Sequence, residues 1–126
     1  MSWQDDRPMS PHLQIYDLPL TAKMSIIFRI AGAALFFVML LVVAALGALA
    51  AGADAWAMPR GFFSDIEGRV FLFLVTLVFY YHLCNGVRHL VWDTVHGLEK
   101  SSLGISGAVV LGATFFLTLS TWWLAR

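Results

Sequence analysis

The residues with the most chemistry stand at the end of an apolar run. Residues 70–87 contain no Asp, Glu, Lys or Arg, yet they include His82, and Arg88, His89 and Asp93 follow closely. An imidazole inside an apolar helix costs free energy unless something engages it, so an ionisable group there is a functional hypothesis by default. Neutral imidazole is a common axial ligand of haem iron. At helical spacing His82, Gly86, His89 and Asp93 fall on one face, in steps of four, three and four. Gly86, one turn from His82, is expected to leave room for a flat macrocycle against the backbone. A hydrogen bond to a neighbouring helix is the alternative for a single intramembrane histidine, and these residues alone leave both readings open.

A second constellation lies near the N-terminus. Residues 7–16 form a proline-broken arm, Arg7-Pro8-Met9-Ser10-Pro11-His12-Leu13-Gln14-Ile15-Tyr16, and Pro19 and Thr21 mark the start of a helix. Ser25 and Arg29 follow, four residues apart and therefore on one helix face. A hydroxyl and a guanidinium projecting together at a membrane edge suit a lipophilic ligand with a polar head, such as a quinone carbonyl, or a haem propionate. The competing reading has Arg29 snorkelling to lipid phosphate and Ser25 bonding back to its own helix.

The elements that position these residues follow from composition. The 126 residues are 60% hydrophobic and only 13% charged, about half the charge of a soluble domain. Three charge-free runs, residues 30–51, 70–87 and 105–124, each meet the roughly 17–25 apolar residues a helix needs to cross a bilayer. With their flanks they are read as helices over about 24–51, 66–93 and 103–124, preceded by a polar arm over 1–23. No alternation of period two suggests a membrane barrel. The fold expected is an all-α integral membrane domain of three transmembrane helices. Residues 52–69 are read as a loop whose aromatic residues sit at the interface. Gly104, Ala108 and Gly112, four apart, permit close helix packing within the chain or with a partner. Trp122 and Trp123 belong to the interfacial belt, and Cys84 is a packing residue. Zero net charge without a basic patch argues against nucleic acid as a partner.

The first sixteen residues, with Asp5 and Asp6 and no short apolar region, do not read as a signal peptide or an organelle transit peptide. The first helix is therefore expected to remain as an anchor, in a bacterial inner membrane rather than a mitochondrial one. Arg7, Lys23, Arg29, Arg88 and Lys100 lie on one side of the membrane, and Arg60, Arg69 and Arg126 on the other. That bias places the N-terminus in the cytoplasm. His82, six residues before Arg88, then lies about 9 Å deeper, at a rise of about 1.5 Å per residue.

Taken together, Arg7-Pro8, Ser10-Pro11-His12-Leu13, Ser25, Arg29 and the run His82-x-x-x-Gly86-Val87-Arg88-His89-x-x-Trp92-Asp93 resemble the cytochrome b membrane-anchor subunits of succinate dehydrogenase, respiratory complex II. The resemblance covers residues 7–93, and the three spans extend it over the chain. It implies that His82 is an axial ligand of haem b, with the other axial histidine donated by a second anchor subunit, so that each chain forms half of a shared haem-binding bundle. It implies further that Ser25 and Arg29 belong to the ubiquinone site, with Arg29 between quinone and haem propionates, and that His89 and Asp93 form a polar cluster at the cytoplasmic edge. The partners implied are that second anchor, an iron–sulfur subunit and a flavoprotein subunit, the peripheral pair docking near Arg29, Arg88 and Lys100.

The sequence also departs from the family. Where many members carry a histidine that contacts a haem propionate, this chain has Phe28, and Ala31 precedes Gly32. Propionate pairing then falls to Arg29 or to the partner chain. Two related readings are an anchor of a quinol:fumarate reductase and a structural anchor without haem. A self-sufficient haem carrier would need a second intramembrane histidine, and His12, His89 and His96 lie at or beyond the membrane edge.

Overall fold

A computed structural model describes residues 17–125, so the arm motif Arg7–Tyr16 and Arg126 lie outside the described residues. The described chain is helical: α1 (Leu20–Ala51), α2 (Ala53–Ser64), α3 (Ile66–Asp93) and α4 (Lys100–Leu124). α1, α3 and α4 are each long and apolar enough to cross a membrane. α1 and α4 both pack against α3, and α2 sits where α1 and α3 meet at one end.

The short helix α2 replaces the loop expected over residues 52–69. Ala, Met and Trp favour helix over its first turns, and Asp54 in its first turn faces the positive end of the helix dipole. Gly52 separates α1 from α2 with φ 116° and ψ −178°, a conformation open in practice only to glycine. Pro59 removes one backbone donor within α2. At the other end of α2 the chain turns back so closely that Gly68 of α3 is buried against it. A Cβ there would overlap the Phe62 carbonyl oxygen and reach to 2.8 Å from Phe63 Cα.

The buried positions trace the inward face of each span. On α3 they are Tyr81, Asn85 and Arg88, and on α4 Gly107, Val110, Thr114 and Thr118, in steps of three and four. Met24 and Ala31 supply the α1 side. The inward face is more polar than the outward one, as expected where lipid tails surround the bundle. Thr114 and Thr118 satisfy their hydroxyls on the carbonyls of Val110 and Thr114, at 2.7 and 2.8 Å. The Tyr81 hydroxyl donates to the Met24 carbonyl at 2.7 Å, tying α3 to α1. Near the C-terminal end of α4 the Thr121 hydroxyl meets that of Tyr80, from the middle of α3, at 2.8 Å.

Gly104, Ala108 and Gly112 face outward, and the two glycines have nothing within 4 Å of a Cβ position. The close approach inside the chain is made instead by Gly107, whose added Cβ would lie 3.1 Å from Met24 Sδ.

Candidate functional site

α3 carries two neighbouring stripes, one residue apart in register. Tyr81, Asn85 and Arg88 turn into the bundle, while His82, Gly86 and His89 face the first turns of α1. Phe28 of α1 meets all three residues of the second stripe. Its ring stacks on the His82 imidazole with centroids 4.3 Å apart and planes within 10°. It lies 5.0 Å from the His89 ring, tilted by 39°. Its edge comes within 4.0 Å of where a Cβ on Gly86 would stand. Phe28 is thus the side chain nearest the open position at Gly86 among the described residues.

One turn further along α1, Gly32 approaches the Cε1 edge of the same imidazole. A Cβ there would lie 3.0 Å from His82 Cε1 and 3.6 Å from Nδ1. His82 Nδ1 is buried and has no hydrogen-bond partner. The interhelical hydrogen bond that would explain a lone intramembrane histidine is thus missing at this nitrogen. Stacking covers a face of the ring, whereas a metal is bound through the in-plane lone pair, so Phe28 does not compete with ligation. Among the described residues no group of three or more His, Cys, Asp or Glu could hold a bare metal ion. A single imidazole in an apolar helix suits haem, whose macrocycle supplies the other four nitrogens and leaves axial positions to the protein.

Ser25 is half-buried and Arg29 exposed, one turn apart on α1, with Phe28 between them. Neither makes a hydrogen bond or ion pair to another described residue, so Ser25 does not follow the back-bonding pattern of Thr114 and Thr118. Asp93 ends α3, exposed, and forms no ion pair with Arg29. The structure thus gathers His82, Gly86 and His89 around Phe28, sets Ser25 and Arg29 on the flanks of that ring, and leaves Asp93 apart. A cleft of about 950 Å³ lies at the opposite end of the bundle, lined by Arg69, Phe73, Thr76 and Trp122 among others.

Arg88 departs most from expectation. Read as a docking residue at the membrane edge, it is in fact 6% exposed and points between the helices. Nε donates to Ser106 Oγ and Nη2 to the Leu103 carbonyl, each at 2.9 Å. Nη1 lies farther from Asn85 Oδ1, at 3.5 Å, and from Met24 Sδ, at 3.8 Å. The guanidinium carbon lies 4.2 Å from the Trp92 ring centroid, within cation–π range. Asn85 is fully buried, and its Nδ2 has no partner. The Tyr81–Asn85–Arg88 stripe was readable in the sequence as polar residues at steps of four and three.

Over residues 4–121 the chain matches the family described as succinate dehydrogenase/fumarate reductase transmembrane subunit. It is 34% identical over 124 residues to the succinate dehydrogenase cytochrome b556 subunit of Rickettsia felis, covering 92% of this chain and 90% of that one. The cytochrome b556 subunit of Paracoccus denitrificans is 40% identical over 112 residues, covering 84% and 86%. The cytochrome b560 subunit of Reclinomonas americana is 34% identical over 122 residues, covering 93% and 85%.

Proposed function

The chain belongs to the family of succinate dehydrogenase/fumarate reductase transmembrane subunits, and from that premise we propose that it is the haem-b-binding anchor of a succinate:ubiquinone oxidoreductase. The observation that carries the haem reading is His82, an imidazole in an apolar span that makes no hydrogen bond to another described residue. In this reading His82 would hold the haem together with a histidine of a second small membrane subunit, and the peripheral flavoprotein and iron–sulfur subunits dock at the cytoplasmic end. Exposed Arg29 and Lys100 belong to that end, whereas buried Arg88 holds the bundle together behind it. The names of the relatives above favour succinate oxidation over fumarate reduction as the working direction. The membrane is a bacterial inner membrane, with the N-terminus in the cytoplasm.

Reduction of ubiquinone to ubiquinol takes up two electrons and two protons. Bound haem b supplies a one-electron site inside the membrane. The residues of this chain act around it. His82 presents a ring nitrogen as a donor. Ser25 offers a hydroxyl to a quinone carbonyl, and Arg29 a fixed positive charge where negative charge develops on the quinone oxygen. A preoriented donor of that kind is among the larger contributions a site makes to a reaction that builds charge. The apolar outer face of α1 admits the isoprenoid tail from the bilayer.

The test is purification of the complex from native membranes by a tag on this chain, followed by subunit analysis and a reduced-minus-oxidised spectrum. The expected result is three co-purifying subunits and a b-type α-band. A chain that purifies without a flavoprotein, or a complete complex without the α-band, would overturn the corresponding half of the proposal.

A further inference from the structure

We propose that Phe28 and Gly32 act as a positioning clamp that sets the ring plane of His82 by packing alone. The inference rests on the haem reading above. A ligating histidine is ordinarily oriented by a hydrogen bond from its second ring nitrogen to a carbonyl or carboxylate, which fixes the tautomer and the ring plane. His82 has no such bond, because Nδ1 is buried without a partner. Something else must hold the ring against rotation about its Cβ–Cγ bond.

Two residues of α1, one turn apart, do so. Phe28 lies nearly parallel to the imidazole, 4.3 Å between centroids and 10° between planes. Turning the ring out of that plane would drive its edge into the phenyl face. Gly32 approaches so closely that even a methyl group would stand 3.0 Å from Cε1. The spacing of four puts both residues on one face of α1, so a rigid helix carries the whole clamp. Planarity at position 28 and the missing side chain at position 32 are therefore the operative features. Hydrophobicity at position 28 is secondary.

That distinction supplies the experiment. In low-spin ferric haem the axial ligand field depends on the ligand planes, so the position and width of the gmax line in electron paramagnetic resonance report the orientation of His82. The line is recorded on the purified complex for the wild type, Phe28→Leu, Phe28→His, Gly32→Ala and the control Gly47→Ala, whose added methyl meets nothing within 4 Å. Leucine keeps an apolar side chain without a flat face, while histidine keeps a flat ring without the hydrocarbon. The clamp predicts a broadened or displaced gmax in Phe28→Leu and Gly32→Ala, and a narrow line near the wild-type position in Phe28→His and Gly47→Ala. A wild-type line in Phe28→Leu, or a better-preserved line in Phe28→Leu than in Phe28→His, overturns it in favour of simple space filling. Disappearance of the Phe28→Leu subunit from the membrane by immunoblot, with Gly32→Ala unchanged in gmax, overturns it as well. A wild-type complex without any low-spin haem signal refutes the haem reading itself, and the clamp with it.

Discussion

Arg88 and Ser106 face each other across α3 and α4, with the guanidinium Nε donating to the serine hydroxyl at 2.9 Å. Nothing acidic pairs with this arginine among the described residues. Its charge is met by neutral acceptors, the Ser106 hydroxyl and the Leu103 carbonyl, and by the face of Trp92. All three lie where α3 ends and α4 begins, so the arginine binds the two ends of the short connection to each other. A buried charge held by hydrogen bonds is costly to leave half-made, since removing one partner strands the others.

Arg88→Leu is therefore expected to destabilise the assembled complex, by about 1–3 kcal/mol for the charge-assisted hydrogen bonds lost to Ser106 and Leu103. Arg88→Lys should recover only part of that loss, because an ammonium cannot reproduce the planar fork or the stacking on Trp92. The measurement is the temperature at which detergent-solubilised complex loses subunits on size exclusion. Equal stability of the leucine variant and the wild type would show that the arginine is not a structural tie.

His82→Leu should remove one axial bond and shift or abolish the low-spin b-type spectrum. A five-coordinate or water-ligated haem in the variant fits the assignment. An unchanged low-spin spectrum does not.

The spans were legible because counting apolar residues is enough to find a bilayer-crossing helix. The short helix α2 was not, because Pro59 and Gly61 punctuate a stretch whose other residues, Ala, Met and Trp, are compatible with helix. Arg88 illustrates a further limit. A cation at the end of a span reads as facing water, and only packing against Leu103 and Ser106 shows that it turns inward. Phe28 was legible as a loss of hydrogen-bonding capacity. Its stacking on His82 depends on the crossing of α1 and α3, which residue types do not reveal.

Ser25→Ala and Arg29→Leu are expected to depress succinate–quinone turnover while succinate oxidation with a soluble artificial acceptor persists. Loss of an oxyanion-stabilising donor typically lowers a rate by about 10²–10³-fold, and the arginine variant should approach that range. The serine variant, losing one neutral hydrogen bond worth about 1 kcal/mol, should fall by about five- to tenfold. A parallel fall in both activities would mean that the residues serve assembly, and no fall in either would leave Arg29 as a snorkelling side chain.

Gly68→Ala tests the turn between α2 and α3. The added methyl has no space, because backbone atoms of Phe62 and Phe63 already occupy it. Overpacking against backbone costs about 1–3 kcal/mol or more, so the variant should be more readily cleaved by protease in the α2 region. Gly61→Ala, with nothing within 4 Å, is the matched control and should behave as the wild type.

The last prediction concerns assembly. Among the described residues only His82 lies inside a charge-free apolar run, whereas six-coordinate haem needs two axial ligands. Its outward surface is apolar along all three spans. Gly104 and Gly112 on α4 are open to close approach by another helix, since nothing among the described residues fills the space beside them. Such a chain should be stable in a bilayer yet incomplete as a cytochrome. Expressed without partners, it is expected to insert in the membrane and to bind haem weakly or not at all. Co-expression with the second anchor subunit should restore the low-spin spectrum, and the peripheral subunits should then add succinate–quinone activity. The decisive comparison is the visible spectrum of the membranes from each expression, together with the subunit content of the detergent-solubilised material. Stable low-spin haem in a pure homo-oligomer, with two His82 side chains ligating across a two-fold axis, would refute the heteromer.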